Sequence, residues 1–213
     1  MQINLLNIVP EYIEKEKRKN SEIWVQDITF TKGNHVHIVA PSGSGKTSLI
    51  HFMYGLRSDY QGVIFYNGEN IKKLSQEQFS SFRRNNISII FQDLRLFENQ
   101  TVRENIDIKR RLNPYHPPEI IDQMALQLGI ETKLEQSAKT CSYGEQQRIA
   151  IIRSLMQPFD FLLLDEPFSH LDNSNRKKAL ELISQECKKR DAAMILVDLE
   201  PEEVLQGEKK LML

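Results

Sequence analysis

A chain of 213 residues holds one large domain or two small ones and excludes a tandem array of sizeable enzymes. Its composition, 40% hydrophobic and 27% charged with 9 glycines and 8 prolines, supplies a substantial core and excludes disordered, collagenous and fibrous classes. The 28 basic and 29 acidic residues leave a net charge of -1, so no overall field favours nucleic acid as a partner.

The chain opens with a short apolar-leaning stretch followed by charge, with no basic region ahead of an apolar one. Nowhere does it approach the roughly 18 consecutive apolar residues of a membrane-crossing helix, so it is expected to stay out of the bilayer itself. Apolar strand candidates recur at residues 3–8, 22–30, 35–40, 62–66, 87–91, 161–164, 193–197 and 209–213. Helical patterns fall at 46–56, 75–84, 101–112, 118–128, 144–156 and 173–190, several with Ser, Thr or Asn near the start. This alternation predicts an α/β architecture with a mostly parallel sheet. Turn signals at Thr31-Lys32-Gly33-Asn34 and Tyr66-Asn67-Gly68 predict an antiparallel β portion in the first third. Residues 92–141 offer helices and the Pro-rich loop Asn113 to Pro118 but no strand; they read as an α-helical subdomain inserted in a core formed by 1–91 and 142–213. The charged run Glu14 to Asn20 reads as a solvated loop. Cys141 and Cys187 are too few for a disulfide framework and lack metal-ligand spacing, which suits a reducing cytoplasm.

Ala40-Pro41-Ser42-Gly43-Ser44-Gly45-Lys46-Thr47 follows an apolar strand and leads into the helical pattern of 46–56, the setting a phosphate-binding loop requires. Small residues let successive backbone N–H groups curl around a phosphate, and the helix adds its positive N-terminal end. Lys46 is placed to reach the β- and γ-phosphates, and the Thr47 hydroxyl to ligate Mg2+. Ala40 stands where a first glycine is usual, and the loop is strained if that corner needs φ > 0. Four apolar residues, Phe161 to Leu164, run into Asp165 and Glu166 where a parallel sheet opens at its carboxyl edge. Asp165 is suited to hold Mg2+ through water, and Glu166 to orient or deprotonate the water that attacks a γ-phosphate. Loop and carboxylates together predict nucleotide hydrolysis, with Mg2+ as cofactor.

Between them lies Cys141-Ser142-Tyr143-Gly144-Glu145-Gln146-Gln147-Arg148, ahead of an apolar helix. This resembles the signature Leu-Ser-Gly-Gly-Gln of the ATP-binding cassette (ABC) ATPases, and the resemblance runs nearly the whole chain. It implies a P-loop NTPase fold, a RecA-like core with an antiparallel β portion, and ATP as the nucleotide. It also implies that Tyr12 stacks on adenine, that Ser42 to Ser48 bind nucleotide, that Gln92 is the Q-loop glutamine near metal and water, and that Asp172 closes the D-loop Ser169-His170-Leu171-Asp172. In that family two cassettes sandwich two ATP molecules, so Ser142 and Gly144 are expected to meet the γ-phosphate held by a second cassette. A homodimer is the simplest such arrangement. Cys141, Tyr143 and Glu145 depart from the signature; Cys141 reads as a small buried hydrophobe, and the other two predict weaker sandwiching of ATP. The family's switch histidine after the next strand is Leu199 here, and all 5 histidines lie earlier. Loss of one preorganised donor costs about 2.7–4 kcal/mol, which slows hydrolysis roughly 10²- to 10³-fold.

Phe82-Arg83-Arg84 and the stretch from Ile87 to Ile106 look like the branch of lipoprotein-releasing, macrolide-export and cell-division (FtsE-type) cassettes. That resemblance implies a membrane permease-like partner docked near Gln92 to Asn105, and a cytoplasmic cassette held peripherally on the membrane's inner face. A weakly hydrolysing regulatory ATP-binding module is the alternative that Leu199 favours and Glu166 opposes. A soluble cassette for DNA repair or translation is disfavoured by the single cassette, the absence of a coiled-coil insertion and the lack of a basic patch.

Overall fold

The computed structural model describes residues 1–199 and 208–213. In chain order its elements are β1 (Gln2–Pro10), β2 (Asp27–Thr31), β3 (His35–Val39), α1 (Lys46–Met53), β4 (Tyr60–Tyr66), β5 (Glu69–Asn70), α2 (Gln76–Asn85), β6 (Ile87–Ile90), α3 (Val102–Leu112), α4 (Ile120–Gln127), α5 (Tyr143–Leu155), β7 (Phe161–Asp165), α6 (Asn173–Arg190), β8 (Ala193–Asp198) and β9 (Lys209–Met212).

Two sheets result. A 4-stranded antiparallel sheet has the order β2-β1-β4-β5, and a 5-stranded sheet has the order β6-β7-β8-β3-β9 with every pairing parallel. The period-2 alternation of a strand buried on both faces explains the stacking. Phe161 and Leu163 of β7 enter a core shared with α1 and the antiparallel sheet, while Leu162 and Leu164 enter a second core shared with α3 to α6. Burying each such side chain contributes roughly 1.5–3 kcal/mol, so both faces of the parallel sheet are firmly held. Its carboxyl edge, where β3 and β7 end, is left for chemistry.

Helix starts follow local chemistry. Ser75, Thr101 and Ser142 each accept a hydrogen bond from the backbone N–H three residues on, and Gln78, Glu104 and Glu145 reach back to complete capping boxes. Between β6 and β7 the chain forms α3, α4, α5 and short 3-10 turns, with no strand. No helix among the described residues is long and apolar enough to cross a membrane.

Two expectations need correction. The strand expected over residues 22–30 is confined to Asp27–Thr31. Ile23 and Trp24 are buried in a turn, where the Ser21 hydroxyl accepts from both their N–H groups, and Val25 takes a left-handed φ of 62°. Their apolarity serves packing beneath the loop between β3 and α1 rather than a sheet. The run expected to be a loop contains a 3-10 turn at Lys15–Arg18, and the Arg18 guanidinium donates back to the Ile13 carbonyl.

Candidate functional site

The turn between β3 and α1 is shaped by its glycines. Gly43 has φ 77° and Gly45 φ 100°, conformations that L side chains rarely adopt. A Cβ on Gly45 would also lie 2.9 Å from Ile13 Cδ1 and 3.0 Å from Trp24 Cζ2. Trp24 supports the loop directly, its indole N–H donating to the Ser44 carbonyl at 3.1 Å. Ala40 is buried and is not among the positive-φ residues, so the strain that would follow from a left-handed corner there does not arise.

Tyr12, Ser42, Gly43, Gly45, Lys46, Thr47, Ser48, Gln92 and Glu166 line one cavity of about 250 Å³. Lys46 is 7% exposed; its ammonium donates to the Ala40 and Pro41 carbonyls at 3.2 Å and lies 3.3 Å from Glu166 Oε1. Gln92 joins the two ends of the site. Its Oε1 accepts from the Thr47 hydroxyl at 3.3 Å and its Nε2 donates to Glu166 Oε2 at 3.4 Å. Glu166 itself has φ 47°, a strained non-glycine backbone at the mouth of β7 that turns its carboxylate toward Lys46 and Gln92.

Asp165 is 1% exposed, and neither carboxylate oxygen has a hydrogen-bond partner. Burial pushes its pKa up to about 6, helped by the neighbouring Glu166 charge and opposed by Lys46 and by the nearby Thr47 hydroxyl, whose proton is directed to Gln92 Oε1 and so leaves the Asp165 oxygens without a bond. An orphaned buried carboxylate is costly unless something else meets it. With Thr47 and Gln92 it forms an all-oxygen donor set of the kind a hard divalent cation takes, so these residues fit Mg2+.

At the rim of the cavity Tyr12 is 54% exposed, with its hydroxyl 2.6 Å from Ser48 Oγ. The Arg57 guanidinium lies 5.5 Å from the ring centroid and also donates to Ser48 Oγ, so the ring is braced at its edge and backed by a cation.

Ser142 and Gly144 do not line this cavity. Ser142 caps α5, and a Cβ on Gly144 would come within 3.1 Å of the His170 carbonyl, so glycine permits the close approach of the chain after β7. Asp172 caps α6 by accepting from the Asn175 N–H at 2.9 Å. Cys141 is buried in the second core, and burial raises its pKa.

Residues 25–169 match the ABC transporter family. The chain belongs to that family. It is similar to the thiamine import ATP-binding protein ThiQ of Haemophilus influenzae, 33% identical over 182 residues that cover 84% of this chain and 82% of that one. It is also similar to the lipoprotein-releasing system ATP-binding protein LolD of Legionella pneumophila, 30% identical over 174 residues that cover 80% of this chain and 77% of that one. The fold matches a dimeric post-hydrolysis structure of the ATP-binding cassette MJ0796 bound to ADP and Pi, with a TM-score of 0.80, 22% identity, and coverage of 93% of this chain and 88% of that one. The protein is an ATP-binding cassette subunit and an ATPase.

In this cassette Leu199 sits beyond β8, 46% exposed, and its N–H donates to Asp198 Oδ1 at 2.7 Å. It lines a second cavity, about 240 Å³, that shares Glu166 with the first and also touches Ser169, Arg176 and Asp198. The side chain facing that cavity from position 199 is aliphatic and offers no donor. Sequence reasoning missed two polar residues of α5. Gln147 is 1% exposed and donates to the Glu166 carbonyl at 3.3 Å while its Oε1 accepts from the His170 N–H at 3.1 Å. Arg153 donates to the Leu94 and Arg95 carbonyls. A signal was present for Arg153, which directly follows the apolar run Ile149 to Ile152 of α5, where a polar side chain has to find partners inside; Gln147 lies in the polar stretch before that run and carried none.

Proposed function

We propose that this cassette binds MgATP in the Lys46 cavity, dimerises on it with a second cassette, most simply a second copy, and drives a membrane permease-like partner. The observation that carries the reading is the convergence of Lys46, Thr47, Gln92 and Glu166 on one cavity, with unpartnered Asp165 at its edge. Lys46 exchanges its loop carbonyls for phosphate oxygens. Tyr12 offers its outer face to adenine, and base–aromatic stacking contributes about 1–3 kcal/mol. Thr47, Gln92 and Asp165 would hold Mg2+, which supplies neutralisation of phosphate charge as the γ-bond breaks. Glu166, aligned by Lys46 and Gln92, orients the attacking water and takes its proton.

Ser142 and Gly144 complete the site of the opposite cassette, and Asp172 lies on the same D-loop face. Glu145, at a signature position usually held by Gln, places a carboxylate on the first turn of α5 and offsets part of that helix end's attraction for phosphate. Residues 92–141 act as a helical subdomain that receives the membrane partner and holds the cassette at the membrane's inner face. Phe97, 53% exposed, opens a cavity with Gln100, Glu104, Ile108 and Arg111 in that region, and the matched relatives are transporter subunits. Relatives named for thiamine import and for lipoprotein release match almost equally well, so the cargo belongs to the partner. Leu199 favours a second reading, a slowly hydrolysing regulatory module.

Glu166→Gln tests the first reading, because it spares the phosphate contacts while removing the base. Light scattering should find this variant dimeric with MgATP and monomeric without it, and the added Lys46→Ala substitution should abolish the dimer. A monomer under both conditions would exclude an ATP-driven homodimer.

A further inference from the structure

We propose that Tyr143, from a signature position that related cassettes give to glycine, positions Gln92 of its own chain. The phenol donates to the Gln92 carbonyl at 3.2 Å, so the signature end of α5 touches the main chain of the residue whose side chain bridges Thr47 and Glu166. Tyr143 also lines a cavity with Thr47, Gln92 and Asp165, on the face where the oxygen donors gather. The proposal's metal arm rests on the nucleotide reading above.

The loop beyond Gln92 needs such support. Leu94 and Arg95 both have left-handed backbones, φ 56° and 49°, a pairing that persists only when surrounding contacts impose it. Arg153 imposes it from one side: the residue is 9% exposed, and its guanidinium spends two N–H groups on the Leu94 and Arg95 carbonyls. Tyr143 holds the other side at Gln92. The two residues stand ten positions apart on α5, about 15 Å at the helical rise, so one rigid helix grips the loop at both ends.

Tyr143 is itself held. Its ring lies 4.2 Å from the His170 ring at 56°, and the His170 N–H is bound by Gln147, which also binds the Glu166 carbonyl. The contacts therefore close a circuit, from Glu166 through Gln147, His170 and Tyr143 to Gln92 and back to Glu166. A glycine at 143 would open this circuit and release the Gln92 carbonyl.

Tyr143→Phe tests the idea, since it keeps the ring on His170 and deletes only the donor. Two readouts apply. Amide hydrogen exchange in nucleotide-free protein should speed up severalfold across residues 91–95 and stay unchanged in the core strands. The single tryptophan, bonded to the phosphate loop, reports ATP binding by fluorescence. The factor by which Mg2+ strengthens ATP binding should fall about threefold to tenfold, the range of one neutral hydrogen bond, while ATP affinity in EDTA is unchanged. In a Gln92→Ala background the same substitution should have no further effect on that factor, because the tyrosine acts through Gln92. Unchanged exchange across 91–95 overturns the proposal, as does faster exchange with an unaltered Mg2+ factor in either background. If the parent protein shows no ATP-dependent fluorescence change, the nucleotide reading fails, and the exchange experiment still decides whether Tyr143 holds the loop.

Discussion

Asp165 shows how far burial alone can shape a single carboxyl group. Its carboxyl group is buried at the end of β7, unpartnered, with a pKa pushed up to about 6 from an ordinary 3.8. The folded chain holds the proton more tightly than the unfolded chain does. Ionisation is therefore penalised, the penalty growing as pH rises from about 4 to about 6 and being complete above that, on the order of 3 kcal/mol. Asp165→Asn removes the penalty and keeps the shape. At pH 8 the nucleotide-free variant is expected to melt several degrees above the parent, with the gap closing as pH falls toward 4. The same variant should lose the strengthening of ATP binding by Mg2+, and in the parent that strengthening should weaken about tenfold per unit below the Asp165 pKa, as protons compete for the ligand. Calorimetric melting and tryptophan fluorescence across pH check both halves. A variant that melts lower at pH 8 would show that a partner already compensates the carboxylate.

At the scale of elements, the loop Asn113 to Pro118 is tied to α6 by a buried charge cluster rather than by apolar packing. His116 Nε2 lies 2.7 Å from Glu186 Oε2, Lys189 lies 2.7 Å from its Oε1, and Arg190 bonds the same carboxylate while stacking 3.9 Å from the Tyr115 ring. Burial opposes the charge on Glu186, but the bonds from His116 and Lys189 and the nearby Arg190 hold its pKa down at about 2. Glu186→Gln leaves the Arg190 side chain, 3% exposed, without its anion, and urea unfolding should show a loss of about 3–5 kcal/mol. A loss below about 1 kcal/mol would mean that His116 and solvent relax around the arginine. None of this cluster was legible in the sequence, because its members come from positions far apart whose meeting depends on tertiary packing. What was legible shared a local cause. Strands buried on both faces announced themselves as apolar runs, and helices as periodic patterns opened by Ser142 or Thr101. Residues 22–26 misled because a turn packed beneath the phosphate loop is as apolar as a strand. The two-residue β5 carries no pattern at all. In the candidate site, Lys46 with Thr47 and Asp165 with Glu166 were readable as two short motifs, each local in the chain, whereas the Tyr143–Gln92 contact joins motifs 51 positions apart.

In the proposed dimer the whole molecule presents half of two sites. Its Lys46 cavity lacks Ser142 and Gly144, and the cavity on the other side of Glu166 is walled in part by Leu199. A chain built this way depends for turnover on whatever faces it and on what position 199 supplies. Because no donor stands there, basal phosphate release by the isolated protein should be slow. Leu199→His places an imidazole beside Glu166, and if that donor is what hydrolysis lacks, the rate should rise toward the roughly 10²-fold that one preorganised donor contributes. Phosphate release should be followed over a series of protein concentrations, since a rise through better dimerisation would steepen the concentration dependence, whereas a rise through chemistry would lift the plateau. ATP affinity should stay level between the two proteins, because Lys46, Thr47 and Tyr12 are untouched. Equal plateaus with equal affinity would locate the limit elsewhere, at the carboxylate that Glu145 puts on the first turn of α5 or in a partner that supplies the competent second site.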